Sequence, residues 1–113
     1  MKKEIVYLSI EGKMVTFDNA YIYETEVEEK RTDEFSDVVV KYLEHTIIAE
    51  QIDHGALFMA AIFGNRDLEI QFATHDGIYM KATAQVDSLL GGNGLIESLD
   101  MNVEQMQWVS VQF

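Results

Sequence analysis

The sequence predicts a mainly β domain, a small β-barrel or sandwich with one α-helix packed on it, and three observations carry that prediction. Asp67 to Thr74 alternates, with Leu68, Ile70 and Phe72 on one face and Asp67, Glu69 and Gln71 on the other. Ile78, Met80, Ala82, Ala84 and Val86 then alternate against Tyr79, Lys81, Thr83, Gln85 and Asp87, the period expected of strands with one buried face. Between the two runs stands His75-Asp76-Gly77, and Asp-Gly in that place signals a hairpin. Finally, a long strand candidate runs from Ile96 to Phe113, and the chain contains no Pro, the residue that would remove ladder donors. A chain whose last residues form a strand is expected to have that terminus tied into a sheet.

The elements follow in order. Lys3 to Ile10 reads as a strand with Val6, Leu8 and Ile10 on one face, Glu11-Gly12 as a turn, and Met14 to Phe17 as a short strand. Ala20 to Glu29 is a strand with unlike faces: Tyr21, Tyr23, Thr25 and Val27 on one, Ala20, Ile22, Glu24, Glu26 and Glu28 on the other. Period two therefore sets three glutamates in one row. The row is either a solvated face or a charged wall facing a shared cavity. Glu29 to Ser36 reads as a polar loop, and Asp37 to Ile48 as a long strand with Val38, Val40 and Tyr42 opposed to Val39, Leu43 and Ile47. Apolar residues on both faces in a domain this small point to a neighbouring subunit. Thr46 to Asp53 also admits a short helical stretch. Asp53 fits a helix N-cap, His54 to Phe63 a helix apolar nearly all round, and Gly64-Asn65 its end. A strand is the competing reading for Leu57 to Phe63. Leu90 to Gly94 breaks the β pattern before the closing strand.

The closing strand changes phase. Leu99, Met101 and Val103 share a face that Gln105 and Gln107 continue, while Met106 and Trp108 point the other way and Val109, Val111 and Phe113 restore the first phase. Two explanations stand: a β-bulge that re-aims the side chains, or a strand covered on one side by its own core and on the other by another chain.

Composition narrows the function classes. At 113 residues and 48% hydrophobic, the chain suits one domain, residues 1–113, with a real core and not a disordered acidic tail. There is no Cys, hence no disulfide framework and no thiolate chemistry. No signal peptide opens the chain and no apolar run approaches transmembrane length, so cytoplasmic synthesis without membrane insertion is expected. The net charge is −12, which argues against specific nucleic-acid binding, since that needs clustered Lys and Arg. The charge permits high solubility, a basic partner or a channel wall that repels anions. Residues 18 to 37 hold eight acids against Lys30 and Arg31, a net −6 and thus half of the total.

No catalytic constellation stands out, and no enzyme is expected. His45, His54 and His75 lie in separate elements without metal-ligand spacing. His75-Asp76 reads as turn chemistry and Asp53-His54 as a helix cap. Glu24, Glu26 and Glu28 lack the glycine and ligand pattern of a calcium loop. Gly91-Gly92-Asn93-Gly94 lacks the Lys-Ser or Lys-Thr of a phosphate loop. No cofactor or metal is expected.

From Asp37 onward the order of elements resembles the tail-tube superfamily, which includes bacteriophage tail-tube proteins and the haemolysin-coregulated tube protein of type VI secretion. The residues that carry it are Val38-Val-Val-Lys-Tyr-Leu, Ile52-Asp53, Ala56-Leu-Phe-Met-Ala-Ala61, the hairpin Leu68 to Val86, a glycine-rich loop, and Glu97-Ser-Leu-Asp-Met-Asn-Val-Glu-Gln-Met-Gln-Trp-Val-Ser-Val. They span about two thirds of the chain and form a pattern of elements, with no catalytic signature; the first third matches poorly. The resemblance implies a tail-tube-like β-barrel that assembles as homohexameric rings, stacked into a hollow conduit within a virion tail or injection apparatus, with sheath or baseplate proteins as outer partners. In that reading Glu24, Glu26 and Glu28 form a lumen or ring-contact row, and Met106, Trp108, Val109 and Val111 a subunit-contact strand. The rival expectation is an acidic inhibitor that mimics nucleic acid and blocks a basic groove, as viral anti-defence proteins do. A further alternative, a monomeric β-barrel ligand carrier, rests on a buried Trp108 and the tyrosines.

Overall fold

The computed structural model describes residues 2–32, 36–53, 67–92 and 95–109. Its elements are β1 (Lys2–Ile10), β2 (Lys13–Met14), β3 (Asn19–Thr32), β4 (Asp37–Asp53), β5 (Leu68–Thr74), β6 (Tyr79–Gly92) and β7 (Leu95–Trp108). They form a single antiparallel sheet in the order β2-β1-β3-β4-β7-β6-β5, not two stacked sheets. The last strand pairs back to the front: Ile5↔Thr74 through Ile10↔Ile70 join β1 to β5. Hydrogen bonding therefore runs all the way round through six strands. No helix occurs among the described residues, and the helix expected over His54 to Phe63 lies outside them.

Most expected elements are present, with informative differences. The hairpin at Asp76-Gly77 forms with Leu68↔Ala84 to Ala73↔Tyr79 paired, and Gly77 takes the positive φ of 86° that the turn needs. The expected inward face Leu68, Ile70, Phe72 and Ala82 is buried, while Ile78 and Met80 are half-buried. Residues Thr46 to Asp53, for which a helical stretch was an alternative, belong to β4. The expected loop at Glu29 begins later, because β3 pairs with β4 as far as Thr32↔Asp37. Val6 was expected beside Leu8 and Ile10 in the core but is exposed. The register shifts between Ile5 and Tyr7, so Val6 is the extra residue of a bulge and Ile5 takes the inward place with Leu8.

The core lines the inside of the closed sheet. Leu8, Ile10, Ile47, Ile52, Phe72, Leu99 and Met101 are buried there, with Phe17, Ile22, Val86 and Leu89 packed against them. The β1–β5 seam joins residues far apart in sequence and is reinforced outside the ladder. Tyr7 and Tyr79 stack at 5.8 Å, and the Tyr79 hydroxyl donates to Gln71 Oε1 at 2.8 Å. Burial in that stack, and a hydrogen bond with Tyr7, push the Tyr79 hydroxyl above its ordinary pKa. The Lys3 ammonium meets Asp76 at 3.0 Å, and the Glu69 N–H donates to the Glu11 carboxylate at 2.8 Å.

Candidate functional site

Two features distinguish this molecule from a simple closed sheet: a two-stranded arm and an open mouth at the arm's base. Both follow from strand lengths. β3 pairs with β1 only between Lys2↔Tyr23 and Glu4↔Tyr21, and β4 with β7 only between His45↔Val103 and Asp53↔Leu95. Yet β3 and β4 stay paired from Asn19↔Glu50 to Thr32↔Asp37. Thr25–Thr32 and Asp37–Glu44 thus form a ribbon with no other described strand beside it, about 25 Å long at the usual rise per strand residue. The radius of gyration, 16.1 Å, exceeds the roughly 13 Å of a compact chain of this length, as a projecting arm requires.

On the arm, β3 exposes mainly charged residues, while β4 also exposes large apolar ones. Val38, Val39, Tyr42 and Leu43 are 44%, 51%, 39% and 53% exposed. Alternation and cross-strand pairing place Leu43 and Val39 on the same face as Ile47, with Glu26 opposite Leu43 and Glu28 opposite Lys41. Tyr42, Val40 and Val38 lie on the other face. A two-stranded ribbon alone is marginally stable in water, and long hydrophobic edges invite pairing with another chain.

The predicted acidic row sits where the ribbon leaves the body. Its face begins inside the core with Ala20 and Ile22, passes Glu24 at the mouth and continues to Glu26 and Glu28 on the arm. Glu28 meets Lys41 at 3.4 Å, both well exposed, and Glu29 meets Arg31 at 3.5 Å. The row is therefore one sheet face that changes from buried to solvated along its length.

The mouth encloses a cavity of about 250 Å³. Phe72 and Thr74, both buried, line its depth; Ile22, Ile78, Met80, Met106 and Trp108 form its apolar wall; Lys3, Glu24 and His45 add polar side chains. The phase change of the closing strand creates this lip, and it coincides with a β-bulge, one of its two explanations. Gln105 has φ 54°, and Thr83↔Glu104 followed by Lys81↔Gln107 leaves one extra residue in β7. Met106 consequently packs against the core, whereas Trp108, which the ligand-carrier alternative needs buried, is 73% exposed at the lip. Val109 lies half-buried just past β7, its N–H bonded to the Tyr79 carbonyl at 3.0 Å, and Val111 lies outside the described residues. The structure thus brings Glu24, Met106 and Trp108 to one opening but sets Glu26 and Glu28 apart on the arm. Sequence reasoning missed the mouth itself, including Lys3, His45 and Thr74, because its residues come from six strands with no shared motif.

On charge, the Thr74 hydroxyl and the Lys3 ammonium, both bonded to Asp76, hold its carboxyl down from 3.8 to about 2. Among the described residues no cluster of three His, Cys, Asp or Glu is placed to hold a metal ion, and no helix is long and apolar enough to cross a membrane. No protein family, curated protein or solved structure matches this chain.

Proposed function

We propose that the closed sheet is a small barrel and that the chain is a structural subunit of a hollow tube, a phage tail tube or a related injection conduit, built from stacked hexameric rings. The observation that carries this reading is the arm: a ribbon with hydrophobic residues on both faces and edges that no described strand pairs. Such a ribbon gains most by lying on another copy. A heterologous contact of this kind closes into rings when the rotation allows. The acidic face at Glu24, Glu26 and Glu28 suits a lumen that must not hold a polyanion, and a tube subunit needs no catalytic group.

The test is direct. Purified protein at high concentration and moderate salt should form rings or tubes visible by electron microscopy, with light scattering that rises with protein concentration. A strict monomer under those conditions rejects the tube. The exposed carboxylates of Glu26, Glu28 and Glu29 favour one second reading, the acidic inhibitor of a basic partner. Its signature is tight binding to a basic protein that weakens as salt rises.

A further inference from the structure

We infer that the open edge of β4, Asp37–Glu44, takes up the closing stretch of β7, Glu104–Trp108, from a second copy of this chain. The inference rests on the tube reading and names the contact that would build it.

The argument begins at a fork. Within one copy β4 and β7 run side by side from Asp53↔Leu95 to His45↔Val103, then part. The next two residues are Glu44 and Glu104, carboxylates that would stand directly opposite one another, and like charges there destabilise a ladder. One residue further, the Gln105 bulge turns β7 away. Beyond the fork, among the described residues, β4 is held only by β3, and β7 only by β6, through Lys81↔Gln107 and Met80↔Trp108. Each strand therefore carries a backbone edge that faced the other and now faces no described strand. The mouth opens beside the fork, lined by His45 of β4 and by Met106 and Trp108 of β7.

The two edges fit each other. When the extra residue of the bulge is counted, the broken ladder resumes with Leu43 opposite Met106, Tyr42 opposite Gln107 and Lys41 opposite Trp108. The faces agree without further slippage. Leu43 and Lys41 share the face of Ile47, which is buried; Met106 packs on the core and Trp108 lines the mouth. An aliphatic side chain would meet a thioether, and an ammonium an indole ring. The backbone contact extends a pairing that β4 and β7 already make. Because the β4 edge and the β7 edge differ, the contact is head-to-tail and leaves one of each free at the ends of any open chain, which is what a ring or a filament needs.

The chain has no Cys, so introduced thiols are the only ones. Leu43→Cys and Met106→Cys proteins, each shown by circular dichroism to be folded, are mixed and oxidised mildly. Leu43→Cys mixed with Met14→Cys, a site 73% exposed on β2, sets the background. The expected result is a covalent heterodimer several-fold above that background. The Lys41→Cys and Trp108→Cys pair should behave alike and replaces the first pair if either of its members misfolds. Mixtures no better than background overturn the contact. So does a Leu43→Cys/Met106→Cys double variant that closes within one chain while the mixtures give no dimer, since the fork then zips internally. Wild-type tubes without the cross-link would sink this contact and leave the tube reading standing; a monomer without the cross-link would sink both.

Discussion

The body and the arm are made of the same two strands under opposite conditions. Near the base, Ala20, Ile47 and Ala49 are buried, because the ring of strands encloses their face. Further along β3 and β4 the same face carries Leu43 at 53% exposure and Val39 at 51%. The β6–β7 ribbon at the far end is a useful counterpart. It runs past β5 to Gly92↔Leu95, but β4 backs it as far as Asp53↔Leu95, and Ile96 and Leu99 are buried. Alternation tells which side chains share a face; only topology tells whether anything covers it.

The largest expected effect compares two leucines in paired strands. Leu99→Ala should cost about 2–5 kcal/mol in urea unfolding, the usual range for a fully buried aliphatic truncated to Ala. Leu43→Ala should stay within about 0.5 kcal/mol at protein concentrations too low for assembly. Equal losses at both sites would mean that the arm is covered within the monomer. Next in size is Gly91→Ala on the backed ribbon. Gly91 has φ 153°, and an added Cβ would lie 2.5 Å from the Leu95 carbonyl oxygen. A cost on the order of 1–3 kcal/mol follows, and no loss of thermal stability would show that the ribbon end yields freely.

The third prediction separates folding from assembly. Leu43→Asp should fold with an unchanged circular dichroism spectrum yet abolish the light scattering of concentrated wild-type protein. In wild type the scattering should grow as salt rises within a moderate range, since screening relieves crowding among Glu24, Glu26 and Glu28. Assembly that weakens steadily with salt would place those carboxylates against cations instead.

Much of the sheet is legible in the sequence, and the exceptions share a cause. The Leu68 to Ala84 hairpin, the strand at Ala20, the glutamate row and the two-faced Asp37 to Ile48 stretch follow from period two and turn chemistry. Val6 was misplaced because one bulged residue inverts the phase of everything before it, and no local signal marks Val6 as the extra one. The Gln105 bulge was visible as a phase change that a neighbouring chain explained equally well. The β1–β5 seam, and with it the mouth, could not be read at all. Its partners, such as Tyr7 and Ala73, are far apart in sequence, and their pairing is fixed by how the whole sheet curls.

The smallest expected effect compares two ion pairs. Lys3 and Asp76 tie the start of β1 to the β5–β6 turn at 3.0 Å, with side chains 31% and 38% exposed, while Lys41 and Glu28 meet on the arm at 3.4 Å, 62% and 61% exposed. Exposed pairs contribute little, so Glu28→Gln should leave the melting temperature unchanged at neutral pH. Asp76 differs because the Thr74 hydroxyl and the Lys3 ammonium favour its ionised form, lowering its pKa from 3.8 to about 2. A carboxyl depressed on folding stabilises the native state fully above its unfolded value, and that contribution fades as pH falls through the folded value. Between about pH 4 and pH 2 the wild-type melting temperature should therefore fall more steeply than that of Asp76→Asn, which has no proton to take up at that position. The variant should also begin lower at neutral pH, having lost the Lys3 pair at the seam. Parallel curves for the two proteins across that acid window would mean that Asp76 titrates alike in the folded and unfolded chains, and that the seam is held by its backbone ladder, the Tyr7–Tyr79 stack and its other hydrogen bonds without help from the Lys3–Asp76 pair.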